Sequence, residues 1–284
     1  MRFLFLGTGT SAGVPIIACD CAVCTSTDPR DNRLRAGAAV MFTDASGQDR
    51  VILIDATPDL RQQALRANLR RCDGVVFTHN HVDHTFGLDE LRRFNAVQHA
   101  PIDIYAEEHT MGHLRRVYQH IFEKELNVQP GFVATLIPHL IDPHRPIDLF
   151  GVWFTPIRLL HGRLPILGFR IEPSAPGESL HGRPRSAKPP GEDSPFPLAY
   201  CTDVSAIPPE SWNSLRNLGT LVIDGLRHRK HPTHFTLEEA VSVAERVRPR
   251  RTYFTHMSHD LAHAETNAQL PEGMELAYDG LVLE

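Results

Sequence analysis

The sequence is short of the features that mark several large protein classes. Among its 284 residues there are five cysteines, and three of them fall within Cys19–Cys24. An odd, clustered set makes a poor disulfide framework; it reads better as metal ligands in a reducing compartment. No apolar run approaches the length of a membrane span. Met1 to Gly7 is apolar but lacks a basic start, a long apolar centre and a cleavage site. It is therefore expected to be a first strand and not a secretory leader. There is no long basic run, and the net charge is −5 with histidine neutral. A long nucleic acid is accordingly not an expected partner. No internal repeat is visible. The expectation is a soluble, cytoplasmic chain, 42% hydrophobic and long enough for a sizeable core.

What the sequence does have is histidine, 17 in all. Four potential ligands stand in one short stretch, His79-Asn80-His81-Val82-Asp83-His84. They follow Val75 to Thr78, an apolar run that reads as a buried strand. Imidazole and carboxylate presented together at a strand end suit zinc, manganese or iron. The spacing predicts alternate side chains on one side of an extended segment.

Arg2 to Leu6 is expected as a strand, followed by Gly7-Thr8-Gly9-Thr10-Ser11-Ala12-Gly13. This is not a dinucleotide fingerprint. The third glycine is one residue late, and Pro15 stands where the helix should begin. Strands are predicted at Ala38–Thr43, Val51–Ile54, Gly74–Thr78, Ile102–Ala106, Phe132–Pro138, Ile147–Phe150, Val152–Leu160, Leu167–Glu172, Leu198–Thr202, Leu221–Asp224, Arg251–Thr255, Met274–Ala277 and Leu281–Leu283. Helices are predicted at Pro58–Leu69 (with Thr57 as N-cap), at Gly87–Phe94, at Glu107–Ile121 and at Thr236–Val247. Residues 173–197 are rich in Pro, Gly, Ser and charge and read as a surface excursion. Strands first, then strands alternating with helices, in two halves, suit two sheets with helices outside. The whole of 1–284 is expected to be one domain.

Three further predicted strands end on a ligand-type residue, at His161, Asp203 and His256. With His79, His81, Asp83 and His84 the inventory reaches seven, enough for two metals. One ion would leave several buried polar groups uncompensated. Asp203 suits a bridge, because a carboxylate offers two oxygens and imidazole one lone pair. Cys19, Cys21 and Cys24 supply three thiolates, and a structural zinc needs a fourth ligand. Asp55 ends a strand on the same face, where it either orients a ligand histidine or caps a turn. Arg227, Arg229 and Lys230 either meet a phosphate or are solvated. The remaining histidines, among them His109 and His113, show no such pattern. Cys72 and Cys201 read as core residues.

His-x-His-x-Asp-His followed by separate His, Asp and His resembles the metallo-β-lactamase superfamily. Gly-Thr-Gly-Thr-Ser, Cys-x-Cys-x-x-Cys and the late Thr-His-x-x-His look like its PhnP group, whose namesake is a cyclic phosphodiesterase. The resemblance implies an α/β (α+β) fold, a four-layer αββα sandwich. It implies that His79, His81 and His161 hold one ion, that Asp83, His84 and His256 hold the other, and that Asp203 bridges them. It gives His259 as the fourth ligand of a Cys19–Cys21–Cys24 zinc. It also implies that His234, 22 residues before His256, stabilises or protonates the leaving oxygen, with His231 a rival. His234 precedes a predicted helix whose N–H groups favour an anion. Two ions, zinc or manganese, lower the pKa of a shared water so that hydroxide can attack phosphorus near neutral pH. His234 and Asp83 are the expected catalytic residues.

The leading expectation is therefore a dinuclear hydrolase acting on a small, perhaps cyclic, phosphodiester. The alternatives are hydrolysis of another ester, a thioester, a lactone or an RNA end on the same ions, and a non-catalytic carrier resembling PqqB. The expected partner is the small phosphodiester, with no long nucleic acid and no membrane; a homodimer is left open.

Overall fold

The computed structural model describes residues 1–123, 133–174 and 194–284. Most of the Pro/Gly/Ser-rich excursion, 175–193, lies outside the described residues, as does Phe132. In chain order the first elements are β1 (Arg2–Gly7), β2 (Gly37–Thr43), β3 (Asp49–Ile54), α1 (Leu60–Arg66), β4 (Gly74–Val76), α2 (Val82–Thr85), α3 (Leu91–Gln98), β5 (Ile102–Ala106), α4 (Glu108–Val117), α5 (Gln119–Phe122) and β6 (Leu136–Leu140). They continue with β7 (Ile147–Leu149), β8 (Val152–His161), β9 (Leu164–Pro173), β10 (Leu198–Cys201), β11 (Thr220–Asp224), α6 (Leu237–Val247), β12 (Arg251–Thr255), α7 (His263–Asn267), β13 (Met274–Leu276) and β14 (Val282–Leu283).

The chain divides into two compact units. The first comprises Met1–Val14, Asn32–Ile141 and Tyr278–Leu283. Its sheet has the order β14-β1-β2-β3-β4-β5-β6, antiparallel from β14 to β3 and parallel from β3 to β6. Leu4, Leu6, Leu53, Val75 and Ile104 pack with Leu60 of α1, Phe94 of α3 and Leu114 of α4. The alternate residues Phe3, Phe5, Ile52 and Ile54 are buried too. Burial on both faces is why these strands read as apolar runs and not as alternation. Gly7 lets the backbone close on the 34–35 segment, since a Cβ there would lie 2.0 Å from the Arg35 carbonyl oxygen.

The second unit comprises Pro15–Asp31 and Asp142–Ala277, with Glu284. Its sheet has the order β13-β12-β11-β10-β9-β8-β7, parallel from β13 to β10 and antiparallel from β10 to β7. Ile157, Leu159, Ala199, Leu221, Ile223 and Phe254 pack with Leu237, Ala240 and Ala244 of α6. Cys201 is part of this core and Cys72 of the first.

Several boundaries differ from the sequence reading. The first helix starts at Leu60, with Asp59 and not Thr57 at its N-cap position. Thr57 is buried, its hydroxyl donates to Gln63 Oε1 (3.0 Å), and its carbonyl closes a turn with Leu60 N–H. The helix predicted over 107–121 breaks at Tyr118 into α4 and α5. The stretch from Gly87 opens as a 3₁₀ turn, Leu88–Glu90, before α3. The ligand stretch does not stay extended: it turns into α2 at Val82, with His81 as N-cap. No described helix is long and apolar enough to cross a membrane.

Candidate metal centre

In parallel sheets, ligands collect where strands present their C-terminal ends. In the first unit β3 and β4 run parallel, so Asp55 and Thr78–His79 emerge at the same sheet edge. The imidazole rings of His79 and His81 are 4.6 Å apart, and those of His79 and His84 are 4.3 Å apart. His84 Nε2 stands 3.3 Å from Asp83 Oδ2. All four donors of the stretch are thus gathered by local chain geometry.

Asp55 supports two of them. His84 Nδ1 donates to Asp55 Oδ2 at 2.8 Å. The Thr78 hydroxyl donates to the same oxygen at 2.9 Å, and Thr78 N–H to Oδ1 at 2.8 Å. With its proton committed, the Thr78 oxygen accepts from His79 Nδ1 at 2.9 Å. Both histidines therefore carry their ring proton on Nδ1 and the lone pair on Nε2, the form a metal takes. Burial pushes the Asp55 carboxyl upward, against the opposing pull of His84 and the Thr78 donors. Of the two roles the sequence left open for Asp55, the hydrogen bonds favour orienting a histidine.

The second unit repeats this logic with residues far apart in sequence. β10, β11 and β12 are parallel neighbours, and β8 ends on His161. The loop after β10 is tied to β8 by Leu160 N–H to Ala206 O (3.0 Å) and Ser205 N–H to Leu160 O (2.8 Å). His256 Nε2 lies 3.1 Å from Asp203 Oδ1. Ligand atoms of His161, Asp203 and His234 all lie within 4.8 Å of one another, as do those of Asp224, His234 and His256. His161 Nδ1 donates to Thr233 O at 2.8 Å, which again puts the lone pair on Nε2.

Asp55, Asp203 and His256 share a conformation, with φ of +66°, +56° and +58°. Non-glycine residues pay a steric cost in this left-handed region, and such strain gathers at functional positions. In each case the strained residue immediately follows, or lies two past, the end of a strand, and turns its donor across the sheet edge.

His234 is buried, and its ring lies parallel to that of His256, 4.8 Å away. Its Nδ1 donates to Asp224 Oδ2 at 2.6 Å. Asp224, wholly buried at the end of β11, is the residue the sequence reading missed. The available signal was an apolar strand ending in aspartate, the same pattern as Val51–Asp55. The helix N-terminus expected to favour an anion beside His234 is already occupied: Thr236 and Glu239 form a reciprocal capping box. His231 is turned aside, its Nδ1 accepting from Thr233 N–H at 3.3 Å and facing the Thr233 hydroxyl at 3.1 Å. The basic cluster is held by its own surroundings: Arg227 donates to the carbonyls of Arg229 and Lys230, and Lys230 pairs with Glu239.

The cysteine set lies wholly in the second unit. His259 Nδ1 stands 3.3, 3.4 and 3.5 Å from the sulfurs of Cys19, Cys21 and Cys24. A tetrahedral zinc with Zn–S about 2.3 Å and Zn–N about 2.0 Å would impose a separation of roughly 3.5 Å. Three thiols and one imidazole at this spacing fit zinc. Donation from Cys24 N–H is the leading cause that draws the Cys21 thiol down to about 6, while burial pushes Cys24 up to about 11. In the first unit and in the second, the His/Asp sets likewise fit a divalent ion, by oriented Nε2 lone pairs beside carboxylate.

Comparison with known proteins adds three findings. The beta-lactamase superfamily domain matches residues 50–257. A solved diphosphatase of the PhnP family is 41% identical, with a TM-score of 0.83, covering 100% of this chain and 97% of that one. Among curated proteins, an octanoyltransferase of Porphyromonas gingivalis is 36% identical over 99% of this chain. A coenzyme PQQ synthesis protein B of Rhodopseudomonas palustris is 30% identical over 64% of it. The chain spans 51% and 65% of the length of these two relatives.

Proposed function

The chain belongs to the metallo-β-lactamase superfamily as a PhnP-like hydrolase, and we propose that it is a two-metal phosphodiesterase acting on a small phosphodiester. The reading takes its ligand assignment from the family pattern: His79, His81 and His161 for one ion, Asp83, His84 and His256 for the other, Asp203 shared. Divalent ions, zinc or manganese, would supply Lewis acidity and lower the pKa of water. A zinc on Cys19, Cys21, Cys24 and His259 would be structural, since all four positions are protein ligands.

One observation carries the choice of phosphodiester, the pairing of His234 with Asp224. As the bond from phosphorus to the leaving oxygen breaks, that oxygen gains charge and needs a proton. His234 Nε2 is the donor in this reading. Asp224 fixes the ring through Nδ1 and stabilises the imidazolium that gives the proton up. His161, anchored on Thr233 O, holds the neighbouring donor in register. A diphosphatase 41% identical to this chain supports phosphorus as the reacting centre.

The test is an assay of metal-loaded protein on bis-p-nitrophenyl phosphate, a cyclic ribose phosphate, a thioester and a lactone. Phosphodiester turnover with manganese, zinc or nickel is expected. Its absence with all three sinks the proposal, and faster turnover of thioester or lactone would replace it. A His234→Ala variant with wild-type kcat would remove that residue from the mechanism. A Cys21→Ser variant that kept its full metal content would remove the structural zinc.

A further inference from the structure

Helix α4 lies along the ligand stretch of the first unit and is tethered to it at both ends. Near its start, Asn80 Nδ2 stands 3.3 Å from His109 Nε2. Beyond its end, the Tyr118 hydroxyl donates to Thr85 O at 3.1 Å, and the Phe86 and Tyr118 rings meet edge to face at 6.3 Å. Positions 109, 113 and 116 follow one another at helical spacing and so share one face. That face presents His109, His113 and Arg116 beside Asn80 and His81. The sequence gave no reason to single these residues out.

The hydrogen bonds fix which atoms they offer. Arginine can only donate, and Arg116 Nη2 lies 3.1 Å from His113 Nδ1. His113 therefore carries its proton on Nε2, and that atom is buried with no hydrogen-bond partner among the described residues. The Asn80 amide donates to His109 Nε2, which leaves the His109 proton on Nδ1. Burial, then Arg116, His109 and His81, hold the His113 imidazole below its ordinary range, so it stays a neutral donor. A merely solvated helix face would not account for a buried N–H lacking an acceptor.

We infer that His109, His113 and Arg116 form a subsite for a second anionic group of the substrate, a phosphate other than the one attacked. The inference rests on the hydrolase reading above and narrows its substrate class to small phosphodiesters bearing a further phosphate. Three donors, one of them a guanidinium, match the oxygens of such a group.

The experiment compares a cyclic ribose phosphate with the same compound carrying an additional phosphate monoester. Wild type is expected to prefer the second by about tenfold or more in kcat/KM, the scale of one charge-assisted contact. Arg116→Gln and His113→Ala should each erase most of that preference, chiefly through KM. Arg115→Gln, an equal loss of charge one residue away, should retain it. The subsite is overturned if wild type shows no preference, if both variants keep it, or if Arg115→Gln loses it equally. Turnover of neither compound would count against the hydrolase reading instead. Binding is then read from the His113 imidazole NMR signal on titration with inorganic pyrophosphate. Movement that Arg116→Gln abolishes supports the subsite, and an unmoved signal overturns it.

Discussion

The two compact units gather donors by different routes. In the first, six consecutive residues do so, because β4 stops and the chain turns at once into α2. In the second, the donors come from the ends of β8, β10 and β12, and only the sheet order brings them to one edge. The first set depends on local turn geometry, the second on strand pairing over long sequence separation. Both are finished by the same device, a buried aspartate at a strand end that holds an imidazole by Nδ1: Asp55 under His84, Asp224 under His234.

The largest expected effect tests whether the scattered set matters as much as the contiguous one. Asp203→Asn and His81→Ala should each lower kcat by more than about 10²-fold, beyond the loss typical of supporting residues. Steady-state assay with saturating metal checks this, and a mild Asp203→Asn would break the equivalence. Next come the two supporting aspartates, for which a loss of about 10- to 100-fold is expected. Asp55→Asn should act on metal affinity, read by competition with a chelator. Asp224→Asn should leave metal content intact and act on kcat. If the two variants gave the same signature, the roles assigned to these aspartates would collapse into one.

A smaller effect separates the ligand thiols from the core thiols. Cys21 is drawn down to about 6 and Cys201 is pushed up to about 12 by burial. At pH 8, metal-stripped protein should be alkylated at Cys21 at least about tenfold faster than at Cys201, after allowing for the lower nucleophilicity of a low-pKa thiolate. Peptide mapping over time reads the order. The rate at Cys21 should fall as pH drops through about 6.

The smallest effect concerns stability in the first unit. Burial tends to raise the Asp73 carboxyl, but Arg71, Val51 N–H and Arg50 outweigh it and hold the pKa below its ordinary value. A depressed folded pKa means stability that is full above the unfolded value and lost as pH falls through the folded one. Asp73→Asn should therefore cost about 1–3 kcal/mol near neutral pH. The deficit should shrink once pH falls below about 4, the unfolded carboxylate value. Denaturant melts at pH 7 and pH 3 compare the two, and a deficit that grew with acid would reverse the sign.

Much of this was legible because strands end on the residues that do chemistry. His79 to His84, His161, Asp203 and His256 could be picked out as polar punctuation after apolar runs, and the cysteine spacing stood alone. Asp224 was not picked out, although it too ends a strand. Its partner His234 is ten residues on, and their meeting depends on a loop returning to β11, which no periodicity encodes. The helix-face histidines were hidden for a related reason. A neighbour of the ligand stretch is set by how α4 docks, through Tyr118 and Asn80, and not by anything within α4. Helix ends were misplaced where a side chain found a tertiary partner, as Thr57 did in Gln63 instead of capping.

The left-handed backbone at Asp55, Asp203 and His256 has a consequence for how such chains diverge. At these three positions, selection for an easy backbone favours glycine or asparagine, while selection for a donor atom favours aspartate or histidine. The two pressures stay opposed only while the chemistry is needed. A descendant released from hydrolysis would be expected to relax there first, before its core or its strand order drifted. Those three positions would then tell a working hydrolase from a retired one kept for binding.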